Sequence, residues 1–284
     1  MIKDLIYDVG MNNGDDVAYY LRSGFRVVAI EADPTLCDMA SVRFKNELKS
    51  RKLTILNIGI ASSPGVLDFW ICETASEWNS FDSRIASRDG LPHHRIQIPC
   101  QSFDWVLNNY GTPYYCKVDI EGNDSLCVEA LRPGGDLPKY ISVELGEIDS
   151  AIDQFEALGY TRYKCISQFY FLPFQLPPFE ASRQVECKLR LLSNRDIFSR
   201  AICKINGIQK SLMRTRQIGS WTFPKESSGP FGEDTPGRWL TGEEIRKAIS
   251  YYYQKFQQRT TAPSPFWTDK EYSFWADLHA RRED

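Results

Sequence analysis

Along the first half of the chain, short apolar runs with the period of a strand alternate with segments whose apolar residues recur at helical spacing. Residues 4–9 (DLIYDV) form a nearly continuous apolar run, which predicts a strand buried on both faces. Asp15–Ser23 (DDVAYYLRS) follows as a helix stopped by Gly24. Residues 26–31 (RVVAIE) predict a second strand, Pro34 opens a helix running to about Arg51, and residues 53–61 (LTILNIGIA) predict a third strand. Ser63-Pro64-Gly65 turns the chain into GVLDFWICE, which alternates as a half-exposed strand does. Residues 74–95 are polar and irregular and predict a loop over the site. Beyond them come a strand (RIQIPC), a short helix (SFDWVLNNYG), a fourth core strand (YYCKVDI), a helix over Asp124–Leu131, a fifth strand (YISVELG) and a helix over Ala151–Leu158. Residues 161–172 are β-rich and would close the sheet.

Strands separated by helices predict βαβ units, hence a doubly wound α/β fold on a mostly parallel sheet. The alternation stops after residue 172. Pro173, Pro177, Pro178, Pro224, Pro230, Pro236, Pro263 and Pro265 then punctuate a segment rich in aromatics. It carries a basic helical stretch near 197–216, a Gly/Pro loop at 228–238 and a helix near 241–258. The division expected is therefore a cofactor-binding domain over 1–172 and a mixed, Pro/aromatic-rich C-terminal extension over 173–284 that binds the acceptor or caps the site.

The strongest chemical signal lies between the first strand and its helix, at Asp8-Val9-Gly10-Met11-Asn12-Asn13-Gly14. A tight turn there brings backbone close to a ligand, with Gly10 and Gly14 where a Cβ would clash or where φ is positive. The helix N-terminus offers N–H groups to a carboxylate, and Asp8 can fix an ammonium. Glu31 ends the second strand, where a carboxylate takes both hydroxyls of a ribose. Ala32, Asn57 and Asp119 complete the candidate cofactor set. The dinucleotide pattern G-x-G-x-x-G is absent, because Asn12 holds the second glycine position and Gly14 comes one residue late. A pyrophosphate needs bare backbone at that point and the methionine moiety of S-adenosylmethionine does not. Methyl transfer is favoured over hydride transfer.

These residues resemble a known family, the FkbM-type methyltransferases. DVGMNNG is similar to that family's D-V-G-A-N-x-G loop, and Lys117-Val118-Asp119-Ile120-Glu121-Gly122 to its K-[IV]-D-[VI]-E-G element. Ser102-Phe103-Asp104 stands where the family has T-L-D. The resemblance covers about residues 4–170, with a weaker match in GPFGEDTPGRWLTGEE and WADLHA. It implies a Rossmann-like, seven-stranded methyltransferase sheet, and O-methylation of a sugar or polyketide-type hydroxyl with S-adenosylmethionine as donor.

Methyl transfer from a sulfonium is an in-line displacement, and a sugar hydroxyl benefits from a general base. Asp119, Glu121 and Glu144 sit at the carboxyl ends of the fourth and fifth strands, where ligands bind in such sheets. Asp119 or Glu121 is the candidate base or acceptor anchor. Lys117 either orients a carboxylate or oxyanion, or pairs structurally with Asp119; Glu144 is a catalytic candidate or a salt-bridge acceptor. No dedicated ligand spacing is present, so no metal is assigned, although three carboxylates near one crevice raise the possibility of a divalent ion.

Composition narrows the remaining classes. With 42% apolar and 25% charged residues and no apolar run long enough to span a bilayer, the chain reads as a soluble protein. Its first residues lack a secretory pattern, and the expected location is cytoplasmic. The eight cysteines include no C-x-x-C pair and read as free buried thiols. Pro99-Cys100-Gln101 resembles the nucleophile motif of cytosine-C5 methyltransferases, but it precedes the fourth strand, so Cys100 reads as a buried thiol. His93-His94 reads as part of an exposed loop, and His279 as packing beside Trp275. Residues 1–160 carry a net charge of −10 and residues 161–284 one of +7. Arg200, Lys204, Lys210, Arg214 and Arg216 interleave with apolar residues, which suits a diphosphate-linked carrier, an anionic membrane surface, or a helix packed on a domain. No aromatic platform interleaves with them, and no nucleic-acid partner is expected. The leading reading is an O-methyltransferase for a sugar hydroxyl in a glycan or glycoconjugate precursor. The alternatives are a polyketide or other small-molecule O-methyltransferase, or a catalytically silent glycan- or partner-binding protein on the same fold.

Overall fold

The computed structural model describes residues 1–146, 148–176, 214–225, 227–257 and 274–283. The chain divides into two compact units, Met1–Val143 with Ala157–Gly159, and Glu144–Glu156 with Tyr160–Asp284. The boundary expected at residue 172 falls inside the second unit.

The first unit is built on strands β1 (Ile2–Val9), β2 (Arg26–Glu31), β3 (Leu53–Asn57), β4 (Gly59–Ile60), β5 (Gly65–Cys72), β6 (His93–Gln101), β7 (Pro113–Val118) and β8 (Tyr140–Glu144). Between them run helices α1 (Asp15–Arg22), α2 (Pro34–Arg43), α3 (Lys45–Lys49), α4 (Ser83–Ala86), α5 (Phe103–Tyr110) and α6 (Asp124–Glu129). The parallel sheet has the order β3-β2-β1-β7-β8. Its core is apolar on both faces: Leu5, Ile6, Tyr7 and Val9 of β1 are at most 3% exposed, as central parallel strands require. The strand order reverses between β1 and β7. Ligands of open α/β sheets bind outside the carboxyl ends of the strands at such a switch point. Asp8 pairs in register with Ala29 on one side and Lys117 on the other, so the carboxyl ends of β1, β2 and β7 lie side by side there.

The α/β class and the mostly parallel sheet are as expected, and three local readings are revised. The helix opened by Pro34 breaks at Phe44, whose buried ring anchors the chain (φ −108°). The third strand leaves the parallel sheet after Asn57, and β4 joins β6 and β5 in a separate three-stranded sheet. His93 and His94 belong to β6, paired with Cys72 and Ile71 of β5, rather than to a loop.

The second unit contains α7 (Ile148–Ala157), β9 (Arg162–Ser167), β10 (Leu172–Pro173), β11 (Gln217–Ile218), β12 (Trp221–Thr222), α8 (Gly242–Gln257) and β13 (Ala276–Arg281). Five parallel strands lie in the first unit and the antiparallel set β10-β9-β13 in the second. The helix expected near 241–258 is α8. All of WADLHA after Trp275 lies in β13, a strand paired with β9 from Ala276–Ser167 to Arg281–Arg162, and His279 lies opposite Lys164. Burial pushes the His279 imidazole down to about 3, so it is neutral at physiological pH. Lys164 is buried too, donating to Thr235 O at 2.7 Å and Oγ1 at 3.0 Å. Most of the basic stretch at 197–216 lies outside the described residues. Arg216 within it is buried and donates to the carbonyls of Gln168 and Phe169 at 2.8 Å each, a clasp on the backbone. Among the described residues, no helix is long and apolar enough to cross a membrane.

Candidate cofactor and active site

The turn after β1 places three residues in the left-handed region: Gly10 (φ 86°), Asn12 (φ 49°) and Gly14 (φ 80°). A Cβ on Gly10 would stand 1.8 Å from the Asp119 carbonyl oxygen, so the β1 and β7 loops touch there and only glycine fits. A Cβ on Gly14 would meet the Phe44 ring at 2.7 Å. The turn is tied to the end of β2, where Gly10 and Met11 donate to Ile30 O at 2.9 and 3.0 Å.

Glu31 occupies the end of β2 with both oxygens directed by backbone amides. Oε2 accepts from Asn12 N–H at 2.8 Å and Oε1 from Asp33 N–H at 2.9 Å. Burial raises its pKa, and these two amides oppose that shift. Asn57 donates its side-chain amide to the carbonyls of Glu31 (3.0 Å) and Ala32 (3.1 Å), so it holds the acidic turn in shape. Asn13 accepts from Asp15 N–H at 2.9 Å, capping α1 from within the loop. Ala32 packs against an apolar cluster of Ala61, Phe69, Ile98 and Cys100, a wall beside Glu31. Cys100 is 1% exposed, and burial raises its thiol pKa, the opposite of an activated nucleophile.

Below the glycine turn lies a buried charge cluster. The Lys117 ammonium donates to Gly10 O at 3.0 Å and stands 3.2 Å from Asp8, 3.6 Å from Asp16 and 3.6 Å from Asp119. The Lys117 side chain is 5% exposed and that of Asp8 is fully buried. Of the two readings of Lys117, this geometry is the ion pair, extended from Asp119 to three carboxylates. Burial pulls the ammonium pKa down, but Asp8, Asp119 and Asp16 outweigh it and hold it well above its ordinary value. Burial pushes the Asp8 carboxyl up, against the pull of Lys117. Neither Asp8 oxygen receives a well-directed hydrogen bond, an unusual state for a buried carboxylate.

Beyond β7 the chain makes a second strained turn. Glu121 is left-handed (φ 47°), and Gly122 follows at φ 109°. Asp124 accepts from Ile120 N–H (3.2 Å) and Gly122 N–H (3.3 Å), which fixes the loop. Asp119 leads it, its N–H bonded to Val9 O at 2.9 Å. The Glu121 side chain is 15% exposed and pairs with Arg88 at 3.1 Å. Burial lifts its carboxyl to about 7, with Arg88 opposing and Asp119 adding to the rise. Glu144 ends β8 and packs as part of the second unit.

Reasoning from sequence missed residues in the stretch 74–95, whose first half reaches across to all three loops. Ser76 Oγ donates to Asn12 Oδ1 (2.9 Å), Asn79 Nδ2 to Asp33 Oδ2 (3.1 Å) and Ser80 Oγ to Glu121 O (2.7 Å). Arg88 adds the pair with Glu121 and lies 5.7 Å from the Trp78 ring. The available signal was the density of Ser, Asn and Asp over 76–83, residues that bond to backbone and loops.

Comparison with known proteins adds one firm result. A family model described as the methyltransferase FkbM domain matches residues 8–162, more than half of the chain. Comparison with curated proteins found no match. Among solved structures, an FkbM methyltransferase from Methylobacillus flagellatus is 17% identical, covers 49% of this chain and 32% of its own, and has a TM-score of 0.33. A precorrin-6y C5,15-methyltransferase from Geobacter metallireducens is 14% identical over 58% of this chain and 69% of its own, with a TM-score of 0.31. A phosphoethanolamine N-methyltransferase from Haemonchus contortus, solved with S-adenosyl-L-methionine, is 11% identical over 99% of this chain and 49% of its own, with a TM-score of 0.30. Likeness at these scores carries no weight for substrate or mechanism, and this chain spans about a third of the length of the Methylobacillus protein.

Proposed function

The chain belongs to the FkbM methyltransferase family, and from that premise we propose that it moves a methyl group from S-adenosylmethionine to a hydroxyl of a sugar in a glycan or glycoconjugate precursor. The observation that carries the reading is that the β1 and β7 loops meet at Gly10 and Asp119 while both oxygens of Glu31, at the end of the neighbouring β2, are directed by the amides of Asn12 and Asp33.

The donor fits the residues present. Glu31 offers a preset carboxylate to a ribose diol, and Ala32 with its apolar neighbours supplies a wall for a flat base. The turn at Gly10 and Gly14 lets the backbone pack tightly against Asp119 and Phe44, and buried Asp8 lies beneath it beside the Lys117 ammonium. When bound, the donor supplies an electrophilic methyl on a sulfonium, and displacement forms a carbon–oxygen bond as the carbon–sulfur bond breaks. Glu121 then receives the hydroxyl proton. A base with a pKa near the working pH serves this step best, and burial brings the Glu121 carboxyl to about 7. Asp119, led in by the shared Gly10 contact, anchors the acceptor beside it. Lys117 holds the two loops together from below.

Incubation with labelled S-adenosylmethionine and a panel of nucleotide sugars, glycan fragments and phenolic polyketides tests the reading. Label recovered as an O-methyl sugar supports it. Label on a phenol alone, or none in any acceptor, overturns it.

A further inference from the structure

We propose that Trp78 and Arg88, together with Glu121, form the acceptor subsite, and that it is built for a pyranose ring presenting a vicinal diol. This rests on the methyltransferase reading and names the substrate chemistry of the same site.

Three features of the first unit converge. The Arg88 guanidinium pairs with the Glu121 carboxylate at 3.1 Å, so two planar groups, one donating and one accepting, lie side by side. Guanidinium carries five N–H donors, and among the described residues the Arg88 side chain hydrogen-bonds only to Glu121 while remaining 44% exposed. Trp78 is half-buried on the same segment, its ring 5.7 Å from that guanidinium. Among the described residues its indole N–H makes no hydrogen bond.

An amphipathic ring beside a charged donor–acceptor pair is what a sugar requires. The C–H face of a pyranose is apolar enough to lie on an indole, while adjacent hydroxyls each donate one bond and accept another. Glu121 accepts from the hydroxyl to be methylated, and Arg88 donates to its neighbour, which sets the reacting oxygen by the position of its vicinal partner. A flat phenolic acceptor would use the indole and leave Arg88 with nothing to bind. The segment is already pinned to the cofactor loops through Ser76–Asn12 and Asn79–Asp33, so cofactor and acceptor sites share one support.

The test uses the full chain loaded with S-adenosylhomocysteine, with methyl α-mannopyranoside, methyl α-rhamnopyranoside and phenol, which has a single hydroxyl, as probes, read by saturation-transfer NMR. Wild-type protein is expected to bind a glycoside in preference to phenol. Trp78→Leu and Arg88→Lys should weaken that binding at least tenfold, Trp78→Phe should retain most of it, and S-adenosylhomocysteine affinity should stay within threefold in all three. Equal glycoside binding in Trp78→Leu and Arg88→Lys overturns the subsite, as does wild-type protein that prefers phenol or binds none of the probes. Failure to bind S-adenosylhomocysteine at all would instead strike the methyltransferase reading itself.

Discussion

Replacing Lys117 with methionine keeps the length of the side chain and removes the one ammonium among Asp8, Asp16 and Asp119. Each of those contacts lies at 3.2–3.6 Å. At an effective dielectric near 20, such a contact is worth about 5 kcal/mol of attraction before desolvation is subtracted. Asp119 is 37% exposed, so its share is screened by water, and the effect rests on Asp8 and Asp16. Stripping the partner from buried charges costs roughly 3–5 kcal/mol, which sets the expected loss at pH 7.5. The loss should depend on pH. A carboxyl whose folded pKa exceeds its unfolded value of 3.8, as at Asp8, imposes no penalty at low pH. Its penalty grows as pH climbs from the unfolded value towards the folded one, by up to about 1.4 kcal/mol per pH unit. Without Lys117 the folded value climbs beyond its wild-type value of about 7, so the deficit should shrink at pH 5.5 by up to about 0.8 kcal/mol. Urea unfolding followed by tryptophan fluorescence at the two pH values measures both quantities. A deficit under 1 kcal/mol at pH 7.5, or one independent of pH, would refute the ion-pair account. Lost turnover at full stability would return Lys117 to oxyanion chemistry.

Other substitutions probe the remaining parts. Turnover of the wild-type protein should rise with pH through about 7 as Glu121 ionises; Glu121→Gln should abolish that limb and cut kcat by roughly 10²–10⁴ while S-adenosylhomocysteine binds as before in calorimetry. Gly10→Ala must displace the Asp119 carbonyl, because its new Cβ would stand 1.8 Å away; cofactor binding should be lost while the far-ultraviolet circular dichroism stays close to wild type. Asn57→Ala leaves the carbonyls of Glu31 and Ala32 without their side-chain donor, an omission costing about 1–3 kcal/mol, to be read as a lower unfolding midpoint and a weaker cofactor Kd.

How much of this was legible in the sequence depends on how local each feature is. Asp8 to Gly14 and Glu31 could be read because strand, turn and helix signals sit within a few residues of one another. The break at Phe44 could not, since its cause is the packing of that ring beside Gly14, thirty residues earlier. β13 escaped notice because its pattern is inverted: Asp277 and His279 alternate as outward residues do, yet are 5% and 2% exposed. Their burial depends on a partner strand, β9, more than a hundred residues before it. The contacts of Ser76, Asn79 and Ser80 with Asn12, Asp33 and Glu121 span 41 to 64 residues, and no period in the chain encodes them. Lys117 was visible as a residue with two readings; only the positions of Asp8 and Asp16 around it separate them.

The central claim, that the β1/β7 switch point holds S-adenosylmethionine through Glu31, is tested most directly by calorimetric titration with S-adenosylhomocysteine. The account predicts one saturable site in the wild-type protein, weakened in Glu31→Ala by about 1–3 kcal/mol, the cost of losing hydrogen bonds to a charged group. Absence of binding to wild-type protein, or equal affinity in Glu31→Ala, would contradict it.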